Sequence, residues 1–174
     1  ACQIRLGLAV RDEPARCPRC TSTTPQDVYG HHSLCCMVGE GRCHMHHAVV
    51  KRLFADASYG LLHPTRETRT FGDGSRMDLV LRMGLREQLV DVALTCPFRA
   101  SADALRHAIA APGGWATAYE QVKRTRYAAM CQPHQDLIPV VFDTFGAAGA
   151  SALPVLHRVA AAFSKRFGSR EGRL

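Results

Sequence analysis

The residues best placed to do chemistry in this chain fall into three groups. Two aspartates, Asp78 and Asp91, stand in the middle of otherwise apolar runs, "MDLVL" and "LVDVAL". A carboxylate in a buried strand is costly unless it is paired or holds a cation. Lys123 lies in "AYEQVKRTRY", with Tyr119 and Tyr127 four residues to either side and Glu120 three before it. On a helix, that spacing puts all four on roughly one face. The third group is soft. Six of the eight cysteines fall within the first 43 residues, in a segment that includes "CPRC" at 17–20, "HHSLCC" at 31–36 and "RCHMHH" at 42–47.

Each group suggests a definite chemistry. If Gly84 and Leu85 make a two-residue turn, the hairpin register sets Asp78 directly opposite Asp91. Opposed carboxylates repel each other, so a cation is expected between them. Two hard oxygen ligands with open positions suit Mg²⁺ in contact with phosphate oxygens, the arrangement for metal-assisted phosphodiester hydrolysis. The competing reading pairs each aspartate with an arginine, Arg76 or Arg82. A helix face turned toward the sheet would bring Lys123 and Glu120 near the acids, where Lys123 could orient a water or offset charge on a phosphate. The plainer alternative is a solvated Glu–Lys pair.

Cys17 and Cys20 form a two-ligand clip for Zn²⁺, and the histidines and cysteines downstream offer more than the two further ligands required. Clustered thiols beside histidine, with no secretory signal, read as reduced, metal-ligating and intracellular. Four N/S ligands with no open position would make a structural zinc. His44 and His46, with Arg42, would then be surface groups near a phosphate backbone.

The elements that must position these residues follow from periodicity. "HHAVVKRLFADA" has its apolar residues at 49, 50, 53, 54 and 57, an amphipathic helix. "ETRTF" reads as a strand, and "RMDLVLRM" and "EQLVDVALTC" as a hairpin joined by "GLR". Residues 101–111 read as a short helix capped by Ser101, and 115–131 as a longer one. "DLIPVVFDTF" is a strand in which Pro139 calls for an edge or a bulge. A last helix begins near 151, with Leu153, Leu156, Ala160 and Phe163 on one face. The expected fold class is α/β: a small Cys/His module, then one mixed sheet flanked by helices. Trp115 is expected as a packing anchor, and Cys96 and Cys131 as buried apolar residues.

The 174 residues carry a net charge of +7 and are 47% apolar, enough for a real core. A basic globular domain favours a polyanion as partner, nucleic acid ahead of a membrane surface. No apolar run reaches the roughly 18 residues of a membrane span. The chain begins without Met, which suggests a segment of a longer polypeptide.

Taken in order, "GHHSLCC", Glu67, "SRMDLVL", "VDVALTCP", "EQVKRTRY" and "IPVVFDTFG" resemble the C-terminal restriction-enzyme-like endonuclease of site-specific non-LTR retrotransposons. The likeness runs from Cys17 to about Phe163 and rests on the order and spacing of the motifs together. By this resemblance Asp78 takes the place of the aspartate in the family's R-P-D motif, and Asp91 that of the aspartate in D-V-T. Lys123 and Tyr127 match the helical Lys and Tyr, and Glu67 an upstream acidic residue. Met77 replaces the family proline, and Asp143 stands where Glu is usual. The resemblance implies a PD-(D/E)xK-type nuclease whose lysine has moved from strand to helix. For the zinc knuckle it implies Cys17, Cys20, His32 and Cys36, with His31 and either Cys35 or Cys36 as a one-residue slip and His47 as a further candidate.

The implied fold is a restriction-endonuclease-like mixed sheet over 47–168, preceded by the knuckle in 1–46 and followed by a basic tail, 169–174. The implied cofactors are catalytic Mg²⁺ or Mn²⁺ and structural Zn²⁺. The implied partners are target double-stranded DNA, the element's RNA and a reverse transcriptase domain of the same polypeptide, with no membrane. The site of action would be the nucleus, where the 3′-OH of a nick primes reverse transcription. The alternative is a non-catalytic, zinc-containing nucleic-acid-binding module with a degraded nuclease core. A resolvase or exonuclease of the same fold would differ only in substrate.

Overall fold

The computed structural model describes residues 8–17, 20, 28–30, 32, 36, 38, 41–60, 62–69, 71–83, 85–97, 102, 106 and 110–168. The expected helix over 101–111, His31, Cys35, Gly84 and the tail 169–174 lie wholly or mostly outside them.

The described elements are helix α1 (Gly41–Tyr59), strands β1 (Thr65–Arg69), β2 (Arg76–Met83) and β3 (Arg86–Thr95), helix α2 (Gly114–Tyr127), strand β4 (Gln135–Asp143) and helix α3 (Ala152–Phe167). They build an α/β fold around a four-stranded sheet in the order β1-β2-β3-β4. The first three strands are antiparallel. β4 runs parallel to β3, because the chain between them crosses over through α2. Pro139 sits in β4, which is an edge strand of this sheet, where its missing N–H costs no ladder bond on the outer side.

The sheet is covered on both faces. Val50, Leu53 and Ala57 of α1 and Ala152, Val155 and Val159 of α3 pack on Leu79, Leu81, Val90, Val92 and Val140. On the other face Tyr127 of α2 joins Phe71, Met77, Val80 and Leu89, and Ala116 joins Ala93 and Val141. β3 therefore alternates cleanly, with Leu89 and Ala93 toward α2 and Val90 and Val92 toward α1 and α3. On β2 the alternation slips. Met77 and Val80 face α2 while Leu79 and Leu81 face the other layer, so the step through Asp78 is irregular, as at a bulge.

Several boundaries differ from those expected. α1 starts at Gly41, so the seam placed between residues 46 and 47 lies inside one continuous helix. β1 begins at Thr65 and ends before Phe71, which is buried against Tyr127 instead of lying in the strand. α2 ends at Tyr127 and tightens into a 3₁₀ turn over Ala128–Met130. No described helix is long and apolar enough to cross a membrane.

Candidate functional site

The face of α2 that meets the sheet carries Ala116, Glu120, Lys123 and Tyr127. The helix starts behind Gly113, whose φ of 71° is left-handed. A Cβ there would also run into the Ala148 carbonyl, so the position favours glycine on two counts. From this face Lys123 Nζ reaches Asp91 Oδ2 at 2.8 Å, with the side chains 17% and 9% exposed. Burial raises the Asp91 carboxyl above its ordinary range, against the pull of Lys123. Burial pulls the Lys123 ammonium down, but the Asp91 charge and hydrogen bond outweigh it, and the net shift is upward. Asp91 Oδ2 is nonetheless buried without a well-aligned donor, so the contact acts as an ion pair more than as a directed hydrogen bond.

Tyr127 is 6% exposed and stacks on Phe71 with ring centroids 5.5 Å apart. Lys123 Nζ stands 5.8 Å from its ring centroid. The tyrosine thus belongs to the packing that holds Lys123.

The hairpin register runs as expected, from Met83 opposite Arg86 to Leu79 opposite Val90. The paired ladder ends one step before Asp78 and Asp91. There Asp78 Oδ2 accepts the Val92 backbone N–H at 2.8 Å, so the carboxylate fills the place a ladder carbonyl would take. The alternative arginine partner Arg82 instead meets Glu87 at 3.5 Å.

Asp78 has a partner that the sequence reading assigned to the surface. His46 Nε2 lies 3.2 Å from Asp78 Oδ2 and 3.2 Å from the Val92 carbonyl oxygen. A carbonyl only accepts, so Nε2 carries the proton. The hydrogen bond to Asp78 raises the His46 pKa, outweighing the opposing effect of burial, with Asp91 adding a smaller upward push. Periodicity held the signal: the buried stripe Val50, Leu53 and Ala57, continued back one turn, arrives at His46. The crowd of neighbouring histidines hid it.

Five further residues take other roles. Glu120, expected near the acids, is 3% exposed and accepts the Ser151 backbone N–H with both oxygens at 3.0 Å. It ties α2 to the start of α3, and a Cβ on Gly149 would strike its carboxylate. Glu67 lies level with Asp78 in the β1–β2 register and has a left-handed φ of 50°. Its half-exposed carboxylate meets Arg66 at 3.3 Å. Asp143 accepts the backbone N–H groups of Phe145 and Ala147 at 2.8 and 2.9 Å, a turn-forming role. Trp115 anchors α2 by donating to Thr95 Oγ1 at 3.0 Å. Cys96 is buried as expected but is disulfide-bonded, not the free apolar thiol the sequence suggested.

A second centre lies before α1. One ligand atom from each of Cys17, Cys20, His32 and Cys36 falls within 4.8 Å of the others. Cys36 donates its backbone N–H to the His32 carbonyl at 2.7 Å, which holds the two residues close together. Cys17 Sγ and Cys36 Sγ are 3.8 Å apart, matching the edge of about 3.8 Å that Zn–S bonds near 2.3 Å give in a tetrahedron. Cys20 Sγ and His32 Nε2 are 3.2 Å apart. This set could hold a metal such as zinc. His47 is not part of it: it is exposed on α1, 3.7 Å from Cys43 Sγ. Among the described residues no other group gathers three such ligands, so the aspartate pair offers two carboxylates only.

No protein-family model matches the chain, and no curated protein matches it.

Proposed function

We propose that the chain is a metal-dependent DNA endonuclease domain of the restriction-enzyme-like kind, which nicks target DNA to start target-primed reverse transcription. The observation that carries this reading is the buried Asp91–Lys123 pair on a strand next to Asp78, where the β2–β3 ladder opens. An acid pair able to hold a cation, with a lysine entering from a helix, suits metal-assisted phosphodiester hydrolysis.

The residues fit a hard divalent cation. The Asp78 and Asp91 carboxylates lie close enough for Asp78 to push the Asp91 pKa upward, and the Asp78 contacts both fall on Oδ2. Asp78 and Asp91 would hold Mg²⁺ or Mn²⁺, which supplies Lewis-acid chemistry at a phosphodiester. Lys123 offsets the negative charge that builds on the phosphate. Tyr127 holds the lysine stem in place. The Cys/His set, with four N/S ligands, is a structural zinc site in this reading. A net charge of +7 suits a DNA partner, with the affinity falling as salt rises. The reverse transcriptase and element RNA would act on the free 3′-OH, in the nucleus.

Supercoiled plasmid incubated with the protein and Mg²⁺ or Mn²⁺ tests the reading. Conversion to nicked circles, abolished by chelating the added cation, is the expected result. Plasmid binding in a mobility shift with no nicking under any cation would instead favour the non-catalytic binding module.

A further inference from the structure

Resting on that reading of the acid pair, we propose that His46 is a positioning residue of the site, holding Asp78 by its Oδ2 so that Oδ1 is the oxygen presented to a cation. Three observations converge on it. First, the Nε2 proton of His46 is shared between Asp78 Oδ2 and the Val92 carbonyl, each at 3.2 Å. Second, the same Oδ2 takes the Val92 backbone N–H at 2.8 Å. Two donors on one oxygen and none from the described residues on the other fix the plane of the carboxylate. Third, Val92 is the residue after Asp91, so the histidine bridges both acid strands at the point where their ladder opens.

The geometry divides the work between the two layers of helices. Asp91 is held from α2 by Lys123, and Asp78 from α1 by His46. Without His46, the Asp78 carboxylate keeps only one backbone donor and can rotate about its Cα–Cβ bond. Groups that orient a ligand from outside typically change metal affinity by roughly 10- to 100-fold when removed. The role is that of a donor and not of packing bulk, because the imidazole is 30% exposed and reaches its partners through a single N–H.

The test is Mn²⁺ binding to the zinc-loaded full chain, read by electron paramagnetic resonance, for the wild type, H46Q, H46L and D91A. Glutamine can place an amide N–H near the position of Nε2; leucine cannot. The expected result is Mn²⁺ affinity within about threefold of wild type for H46Q and at least about tenfold weaker for H46L, with kcat for nicking following the same order. Wild-type affinity in H46L, or affinity in H46Q as weak as in H46L, overturns the positioning role. If H46L does not fold, H46Q decides alone: a loss of tenfold or more overturns the proposal. D91A separates the two levels. Full nicking and Mn²⁺ binding by D91A would overturn the acid-pair reading itself, whereas loss in D91A with an unchanged H46L would overturn only the role of His46.

Discussion

Asp91 and Lys123 are each costly to bury and are tolerable only together. Their side chains are 9% and 17% exposed and 2.8 Å apart. Removing one partner leaves the other as an uncompensated buried charge, which costs about 3–5 kcal/mol. Asp91→Ala should therefore lower unfolding free energy by about that much in urea titrations, and Asp91→Ala with Lys123→Ala by clearly less. Simple additivity of the two single losses would contradict the pairing. His46 gives a prediction in pH. Its folded-state pKa is raised, first by the Asp78 hydrogen bond, so the protonated form is favoured in the folded protein. The stability it contributes is present below the unfolded value of about 6.5 and is lost as pH rises through the folded value. An NMR titration should place the His46 midpoint above that of a free imidazole, and Asp78→Asn should bring it down. That the two acids need partners could be read from the sequence because carboxylates embedded in apolar runs are costly alone, whereas the pattern around Lys123 suited a solvated Glu–Lys pair at least as well. His46 could not be singled out, because three histidines lie within four positions and only the helix phase tells them apart.

At the scale of elements, α1 links the two centres: it begins soon after Cys36 and delivers His46 to Asp78. The Cys17–Cys20 clip was legible from its spacing, but the downstream histidines and cysteines offered too many partners, and only the resemblance narrowed them to His32 and Cys36. In the structure the ligand atoms of that set gather within 4.8 Å, and His47 stays outside it. Metal analysis should find zinc bound to the wild type and lost in Cys36→Ser, whereas Cys43→Ser and His47→Ala should retain it; loss in His47→Ala would contradict the assigned set. The hairpin register was also legible, since alternation and a short turn leave little freedom. The place of Glu120 was not. Its carboxylate holds the Ser151 backbone N–H, a contact made across the β4–α3 connection that no local pattern announces. Glu120→Ala should cost about 1–3 kcal/mol of stability, the penalty for a buried donor left unpaired. Activity per folded molecule should stay unchanged; a selective loss of activity would return Glu120 to the site.

For the whole molecule, the α/β class and the mixed sheet followed from alternation, helix phase and the order of the segments. The packing of α1 and α3 on one face and α2 on the other did not, because each helix has an apolar stripe that would suit either face. That arrangement is what separates the holders of the two acids, with His46 above the sheet and Lys123 below it. The central claim is that these acids serve phosphodiester hydrolysis, and a single comparison addresses it: single-turnover nicking of supercoiled plasmid in Mg²⁺ by the wild type and by Asp91→Asn, at matched zinc content and with both proteins folded at the assay temperature. The account predicts measurable nicking by the wild type and a fall of at least about a hundredfold in the variant; equal rates from the two proteins would contradict it.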